Sequence, residues 1–346
     1  MGERHRLIPA YWPEMSSDEG NETQQEYLAR HREEIRRAAD RIAPYVRHTP
    51  LLRTDLDPDL RLKPESLQVT GAFKTRGAFN AVLALREREA GEPVRGVTAV
   101  SSGNHAQALA LAAHTAGFPA VIVIPADANP LKVAATRAFG AEVLQEGVTF
   151  ANREEHLRRV AEERGLTVIH PFDNWDVIHG AATATAEALA DDPAIQTVVV
   201  PVGGGGLLSG TALAAKAHNP AIQVIGVEPA AADDAAQTLE TGHIQRLPES
   251  PTTLADGVRP VAIGQRTFEV MVTHRLVDTI VRVTEEEIAE GTRAAWLQLK
   301  LALEPTGALP LAAWLAGKLP RRSRPTCLVF SGGNFNPTVV AGILGA

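Results

Sequence analysis

Nine short β-type runs, most of them apolar without a break, are strung along the chain at 61–63, 96–100, 120–124, 142–144, 167–169, 197–201, 223–227, 279–283 and 327–330. A strand with one wet face alternates apolar and polar residues. A run such as VVVPV at 198–202 does not alternate, so it calls for cover on both faces. That is the condition of a parallel sheet sheathed by helices. Helical stretches, most of them Ala-rich, fall between the runs at 77–86, 105–116, 130–139, 152–164, 180–190, 206–217 and 284–300. The alternation predicts a doubly wound α/β architecture in two lobes. Upstream, Leu28, Ile35, Ala39 and Ile42 are spaced for an amphipathic helix over 25–46, stopped near Pro44. Residues 1–25 read as a loose polar arm.

Composition removes several classes of function. The 346 residues are 45% apolar and 22% charged, with a net charge of −7, and so lack the basic surplus of a nucleic-acid binder. No apolar run approaches the roughly 20 residues of a membrane span, and the N-terminus has no secretory core. The single cysteine, Cys327, excludes an internal disulfide and fits a reducing cytoplasm. Lysine occurs only at positions 63, 74, 132, 216, 300 and 318, so lysine-amine chemistry has six candidates.

Ligands of open α/β sheets sit beyond the carboxyl ends of the strands. Four glycines, Gly203 to Gly206, follow one strand end and open a helix. Their backbone N–H groups and the helix N-terminus suit a phosphate, although a tight turn also uses glycine. No Gly-Lys-Ser/Thr follows, and Ser209 breaks the dinucleotide pattern, so neither nucleotide motif applies. Ser101, Ser102, Asn104 and His105 cluster after another strand, where they suit a carboxylate, or where Ser102 or Asn104 simply caps the next helix. Ser331-Gly332-Gly333-Asn334 follows a third strand, and its hydroxyl could meet a ring nitrogen. Lys74 lies between Phe73 and a glycine-flanked turn, among Ala72, Ala78 and Phe79. Apolar surroundings favour the neutral amine that attacks aldehydes, but a solvated lysine remains open from local features alone. Glu228 and Asp234 could offer carboxylate oxygens to a hard cation, or form a solvated acidic loop.

These segments, in this order, resemble the fold-type II pyridoxal 5′-phosphate (PLP) enzymes, specifically the threonine/serine dehydratase and serine racemase family. The carriers are KPESLQVTGAFKTRGA at 63–78, SSGNHAQALA at 101–110, VPVGGGGLLSG at 200–210, ADGV at 255–258, EPTGA at 304–308 and SGGN at 331–334. The likeness runs from about His48 to Asn334.

The resemblance implies a two-lobed α/β fold (tryptophan synthase β-like) with mostly parallel twisted sheets. Residues 1–95 and 173–346 would form a large cofactor-binding domain and 96–172 a small substrate-loop domain. Lys74 would hold PLP as a Schiff base and serve as catalytic base, with Ser102 as a second catalytic group on the opposite face. Phe73, Asn104, Gly203, Gly204, Gly205, Gly206 and Ser331 would complete the cofactor site. Ser101, Ser102, Asn104 and His105 would surround the substrate carboxylate. Arg153 would reach a second carboxylate, as 3-hydroxyaspartate has; a surface arginine on an Arg/Glu-rich helix is the plainer reading. Glu228, the Ala232 carbonyl and Asp234 would hold Mg²⁺ or another divalent cation. The implied activity is that of an ammonia-lyase, β-elimination of water from L-threonine, L-serine or 3-hydroxyaspartate, with amino-acid racemisation as the alternative. A small amino acid is the expected partner, with neither nucleic acid nor membrane, in a cytoplasmic homodimer. The chain departs from the pattern at Ala72, where the family has serine, at Pro64, and at 179–183 (HGAAT).

Overall fold

The computed structural model describes residues 22–88, 93–128, 130–320 and 325–345. Most of the expected N-terminal arm, residues 1–21, lies outside them.

Among the described residues the strands are β1 (Leu60–Pro64), β2 (Val97–Val100), β3 (Ala120–Val123), β4 (Glu142–Leu144), β5 (Thr167–Val168), β6 (Thr197–Pro201), β7 (Gln223–Pro229), β8 (Thr279–Val283) and β9 (Thr326–Phe330). They form two sheets, one ordered β1-β9-β6-β7-β8 and the other β4-β3-β2-β5. Every pairing of these strands is parallel. The uninterrupted apolar runs are explained by burial on both faces. Val198 and Val200 pack into one core cluster and Val199, between them, into another. Cys327 and Val329 split from Leu328 and Phe330 in the same way. The unusual Pro64 closes β1, an edge strand, where a missing N–H costs little.

The helices of the first two thirds of the chain are α1 (Gln24–Ile42), α2 (Lys74–Glu87), α3 (Asn104–Ala116), α4 (Pro130–Ala138), α5 (Arg153–Arg164), α6 (Trp175–Asp191), α7 (Gly206–His218) and α8 (Asp234–Thr241). Beyond them come α9 (Gln265–Phe268), α10 (Glu285–Leu297), α11 (Pro305–Leu315) and α12 (Pro337–Gly345). The loose-arm reading fails at its end. Thr23 caps α1 through a reciprocal capping box with Glu26, so Gln24 and Gln25 are already helical. The buried stripe of α1 also includes Tyr27 and His31, which periodicity of aliphatic residues does not reveal. His31 Nδ1 lies 2.8 Å from His179 Nε2, beside the Trp175 ring. Burial keeps both imidazoles neutral, lowering His31 to about 2 and His179 to about 4.

Helix α2 is locked by charge. Arg76 has no exposed surface, and its Nε donates to Glu65 at 2.7 Å while Nη1 donates to Glu187 at 2.6 Å. Lys63 donates to Glu187 at 2.7 Å, and the Thr49 hydroxyl donates to Glu65 at 2.6 Å. Burial alone would raise the Glu65 carboxyl, but the Arg76 charge and these hydrogen bonds bring it below its ordinary value. The departure at 179–183 belongs to the same packing. The Thr183 hydroxyl receives Arg76 Nη1 at 3.2 Å, and Gly180 lets α6 touch α2. A Cβ on Gly180 would lie 2.5 Å from the Arg76 carbonyl oxygen and 2.7 Å from Gly77 Cα. Gly180→Ala is therefore expected to cost about 1–3 kcal/mol through forced separation of two helices, read as a lower thermal midpoint. Gly342→Ala in α12, with nothing within 4 Å of the new methyl, should leave the midpoint unchanged or raise it.

Candidate active site

Six separate sequence segments meet at the carboxyl ends of β2, β6 and β9. Lys74 is the first residue of α2. The turn before it is stitched to the strand end after β9. The Phe73 N–H donates to the Ser331 carbonyl at 3.0 Å, and Gly333 N–H donates to the Gly71 carbonyl at 2.8 Å. Ala72 bridges Gly332, its methyl facing a position where a Gly332 Cβ would sit 3.1 Å away. Gly71 has φ +74, the left-handed region, and a Cβ there would strike the Asn334 side chain at 2.6 Å. Asn334 Nδ2 donates to the Thr70 carbonyl at 2.8 Å and to Asn104 Oδ1 at 2.9 Å.

Asn104 opens α3, and its own Nδ2 donates to Glu304 Oε1 at 2.7 Å. Glu304 is buried, its Oε2 has no hydrogen-bond partner among the described residues, and burial pushes its carboxyl up to about 7. The Glu304 backbone N–H reaches the Gly332 carbonyl at 3.2 Å. Thr306, two residues on, accepts the Gly257 N–H at 2.9 Å, and Val258 Cα packs 3.0 Å from the Cβ position of Gly203. The segments 70–74, 104, 255–258, 304–308 and 331–334 thus connect to the glycine turn in one hydrogen-bonded, closely packed chain. Glu304 and Asn334 received no role from sequence reasoning. The only available signal was that their motifs kept family order.

The Lys74 amine donates to the Pro171 carbonyl at 2.6 Å and sits 5.0 Å from the centre of the Phe73 ring. Desolvation lowers its pKa to about 8. No carboxylate pairs with it among the described residues, so nothing restores the charge. The glycine turn follows β6, with Gly205 at φ +88 as the residue capping α7. Phe172 packs against Gly204 and Gly206, where any side chain would collide with it.

The residues after β2 divide. Ser101 is half-buried and Ser102 is exposed. Gly103 caps α3 without a side-chain hydrogen bond, so Ser102 and Asn104 are not spent as ordinary helix caps. His105 is buried, its Nε2 3.0 Å from the Ile169 carbonyl, and burial lowers it to about 3. It anchors α3 to the strand edge, its Nδ1 has no hydrogen-bond partner among the described residues, and the Lys74 charge adds to the lowering. Arg153 is likewise spent locally. It donates to the Phe150 carbonyl at 2.6 Å and stacks 3.3 Å over the Phe150 ring, and the charges of Arg246 and Arg259 act on it.

Glu228, Ala232 and Asp234 are all buried at the end of β7 and the start of α8. Glu228 accepts the backbone N–H groups of Ala235 at 3.3 Å and Ala236 at 2.9 Å. Asp234 Oδ2 has no hydrogen-bond partner among the described residues. Burial, and then the charge of Asp234, raise Glu228 well above the carboxylate range, and burial raises Asp234 to about 7. Asp233 is committed elsewhere, to Arg282 at 2.8 Å. Two buried carboxylates with no ion pair among the described residues, one with an orphaned oxygen, fit a hard cation. Among the described residues no cluster of three or more His, Cys, Asp or Glu side chains is suited to a metal.

The family model of the pyridoxal-phosphate dependent enzymes matches residues 42–332. The chain belongs to that family. It is 43% identical to a serine racemase of Oryza sativa subsp. indica over 310 residues, 87% of this chain and 89% of that one. To an L-threo-3-hydroxyaspartate ammonia-lyase of Saccharomyces cerevisiae it is 39% identical, covering 86% and 91%. A solved maize serine racemase superposes with a TM-score of 0.83 at 40% identity, covering 90% of this chain and 95% of that one. PLP is therefore the cofactor.

The environment of Lys74 has a pH signature. A lysine holding its ordinary pKa stays mostly protonated until about pH 10.4. Burial makes the nucleophilic neutral form of Lys74 dominate above about 8. The rate of PLP uptake by cofactor-free protein should rise with pH to a plateau, with its midpoint near 8. A rise that continues past about pH 10 would contradict the desolvated site.

Proposed function

We propose that this enzyme is an ammonia-lyase that eliminates water from a small β-hydroxy amino acid and releases a 2-keto acid and ammonia. The observation that carries the reading is the Lys74 amine, desolvated to about 8, hydrogen-bonded to a neutral carbonyl, and set in one network with Asn104 and the Ser331 strand end. PLP, when bound, supplies the electron sink that lets bonds at the substrate Cα break. Lys74 would hold the cofactor and, once displaced by the substrate amine, take the Cα proton, a task for which a pKa near neutrality is matched. Gly203 to Gly206 would hold the phosphate, Ser331 the ring nitrogen and Phe73 the ring edge. Asn104, fixed from both ends by Asn334 and Glu304, would position the ring's phenolic oxygen. Ser101, Ser102 and the uncapped start of α3 would receive the substrate carboxylate. His105 would lie beside the substrate carboxylate while anchoring α3, and Arg153 would reach a second carboxylate such as that of 3-hydroxyaspartate.

The lobe division proposed is 96–172 as a small substrate-loop domain and 1–95 with 173–346 as the large cofactor-binding domain, a reading supported by the two separate sheets. Mg²⁺ or another divalent cation at Glu228, the Ala232 carbonyl and Asp234 is supported by the orphaned Asp234 oxygen. A homodimer follows from the resemblance. A cytoplasmic setting is supported by the lone buried thiol of Cys327. The second reading, racemisation, is favoured by one observation: Ser102 leaves its hydroxyl exposed at the loop, free of any capping bond.

Lys74→Ala is expected to abolish both the cofactor absorbance of the purified protein and borohydride fixation of PLP to the chain. A Lys74→Ala protein that still fixes PLP would move the site elsewhere. Threonine, serine and threo-3-hydroxyaspartate should each be tested for keto-acid release and for enantiomer exchange. Ser102→Ala should suppress exchange and use of the D-enantiomer more than L-dehydration; equal loss of both would remove the second reading. Chelation should lower thermal stability, since it would leave Glu228 and Asp234 as uncompensated buried carboxylates, and the drop should vanish in Asp234→Asn.

A further inference from the structure

We propose that Thr267, a buried residue outside every motif above, is the positioning residue of the phosphate cradle. The inference rests on the reading of Gly203 to Gly206 as that cradle. Thr267 has no exposed surface and lies in α9, directly behind the glycine turn. Its hydroxyl shares its proton between the Gly204 carbonyl at 3.1 Å and the Gly264 carbonyl at 2.9 Å, and accepts the Gly264 N–H at 2.8 Å. The Gly264 N–H also reaches the Gly204 carbonyl, at 3.4 Å.

The consequence follows from peptide geometry. The unit joining Gly204 to Gly205 is planar and trans, so its C=O and N–H point in opposite directions. Pinning the Gly204 oxygen back onto Thr267 turns the Gly205 N–H forward, away from α9. Gly205 itself is at φ +88, the left-handed conformation that lets successive N–H groups converge on one concavity. Thr267 also sets how deep the turn can sit, because a Cβ on Gly205 would lie 2.9 Å from the Thr267 Cβ. Without the hydroxyl this peptide could rotate and offer its carbonyl oxygen to the phosphate, which would repel it.

The brace is tied to the lysine end of the site through three residues. The Pro171 carbonyl receives Lys74 Nζ at 2.6 Å, and Phe172 packs under Gly204 and Gly206. Asp173 accepts the Arg266 backbone N–H at 2.8 Å, next to Thr267, and crowds Gly264. His170 Nδ1 accepts the Asp173 N–H at 2.9 Å and holds the segment in its bend. The separation between Lys74 and the cradle is therefore set by one short segment, with Thr267 as its far anchor.

The test compares the holoenzyme with Thr267→Val, which keeps the shape and removes the hydroxyl, and Thr267→Ser, which keeps the hydroxyl. Three readouts are needed: the PLP dissociation constant from dialysis, the ³¹P resonance of the bound cofactor, and the thermal midpoint at saturating PLP. Thr267→Val should weaken PLP binding about tenfold, the scale of one lost buried hydrogen bond, and shift the ³¹P resonance toward free PLP. Thr267→Ser should restore both. If the valine variant does not fold, Thr267→Ala replaces it in the same comparison with serine. Wild-type affinity and resonance in the valine variant, or a serine variant no better than valine or alanine, overturns the brace alone. A wild-type chain that takes up no PLP overturns the cradle reading beneath it.

Discussion

The buried guanidinium of Arg76 is the interaction on which the rest of the site depends. It ties Glu65 after β1 and Glu187 on α6 to the first turn of α2, and Lys63 on β1 closes the network. A charge with no exposed surface is tolerated only when its hydrogen bonds are made and its counter-charges are close. Here Nε, Nη1 and Nη2 all donate, to Glu65, Glu187, Thr183 and the Arg47 carbonyl. The geometry this demands leaves α2 one place to start. Lys74 sits two residues before Arg76, so the position of its amine follows from this salt-bridge network.

Around that fixed start, electrostatics separates two kinds of buried group. The amine of Lys74 meets a carbonyl and no carboxylate among the described residues, so desolvation acts on it unopposed. Glu65, equally buried, faces Arg76 and stays ionised. Glu304, Glu228 and Asp234 are buried without full compensation, and burial raises all three. The paired charges of the Arg76 network hold the fold, whereas these incompletely compensated groups gather at the two places that would receive a ligand, the Lys74 cluster and the end of β7. This division is the expected mark of function.

Much of the architecture was legible in the chain itself. All nine β-type runs became strands, most of them because a continuous apolar run has one stable setting, a parallel sheet covered on both sides. The helices α8, α9, α11 and α12 lie outside the stretches that the sequence pattern predicts as helical. In α11 Pro305 opens the helix and Pro310 lies inside it, and in α12 glycines interrupt a short apolar stretch, so neither shows a clean 3.6-residue period. At the site, Lys74, Asn104 and the glycine turn stood out by motif. The local partners of His105 and Arg153, Ile169 and Phe150, carry no signal in the sequence.

The sequence by itself determined the class of fold and the family. These follow from local pattern and from the order of motifs, both properties of a linear string. Tertiary structure alone decided that Pro171 holds the Lys74 amine, that Thr267 backs the glycine turn, and that Glu304 reaches Asn104 across 200 positions of sequence. Neither Pro171 nor Thr267 carries a local signature, and the motif of Glu304 does not name its partner. A threonine becomes a brace only when chain closure brings a particular carbonyl within hydrogen-bond reach, and that distance is set by packing between elements, which no stretch of sequence encodes alone.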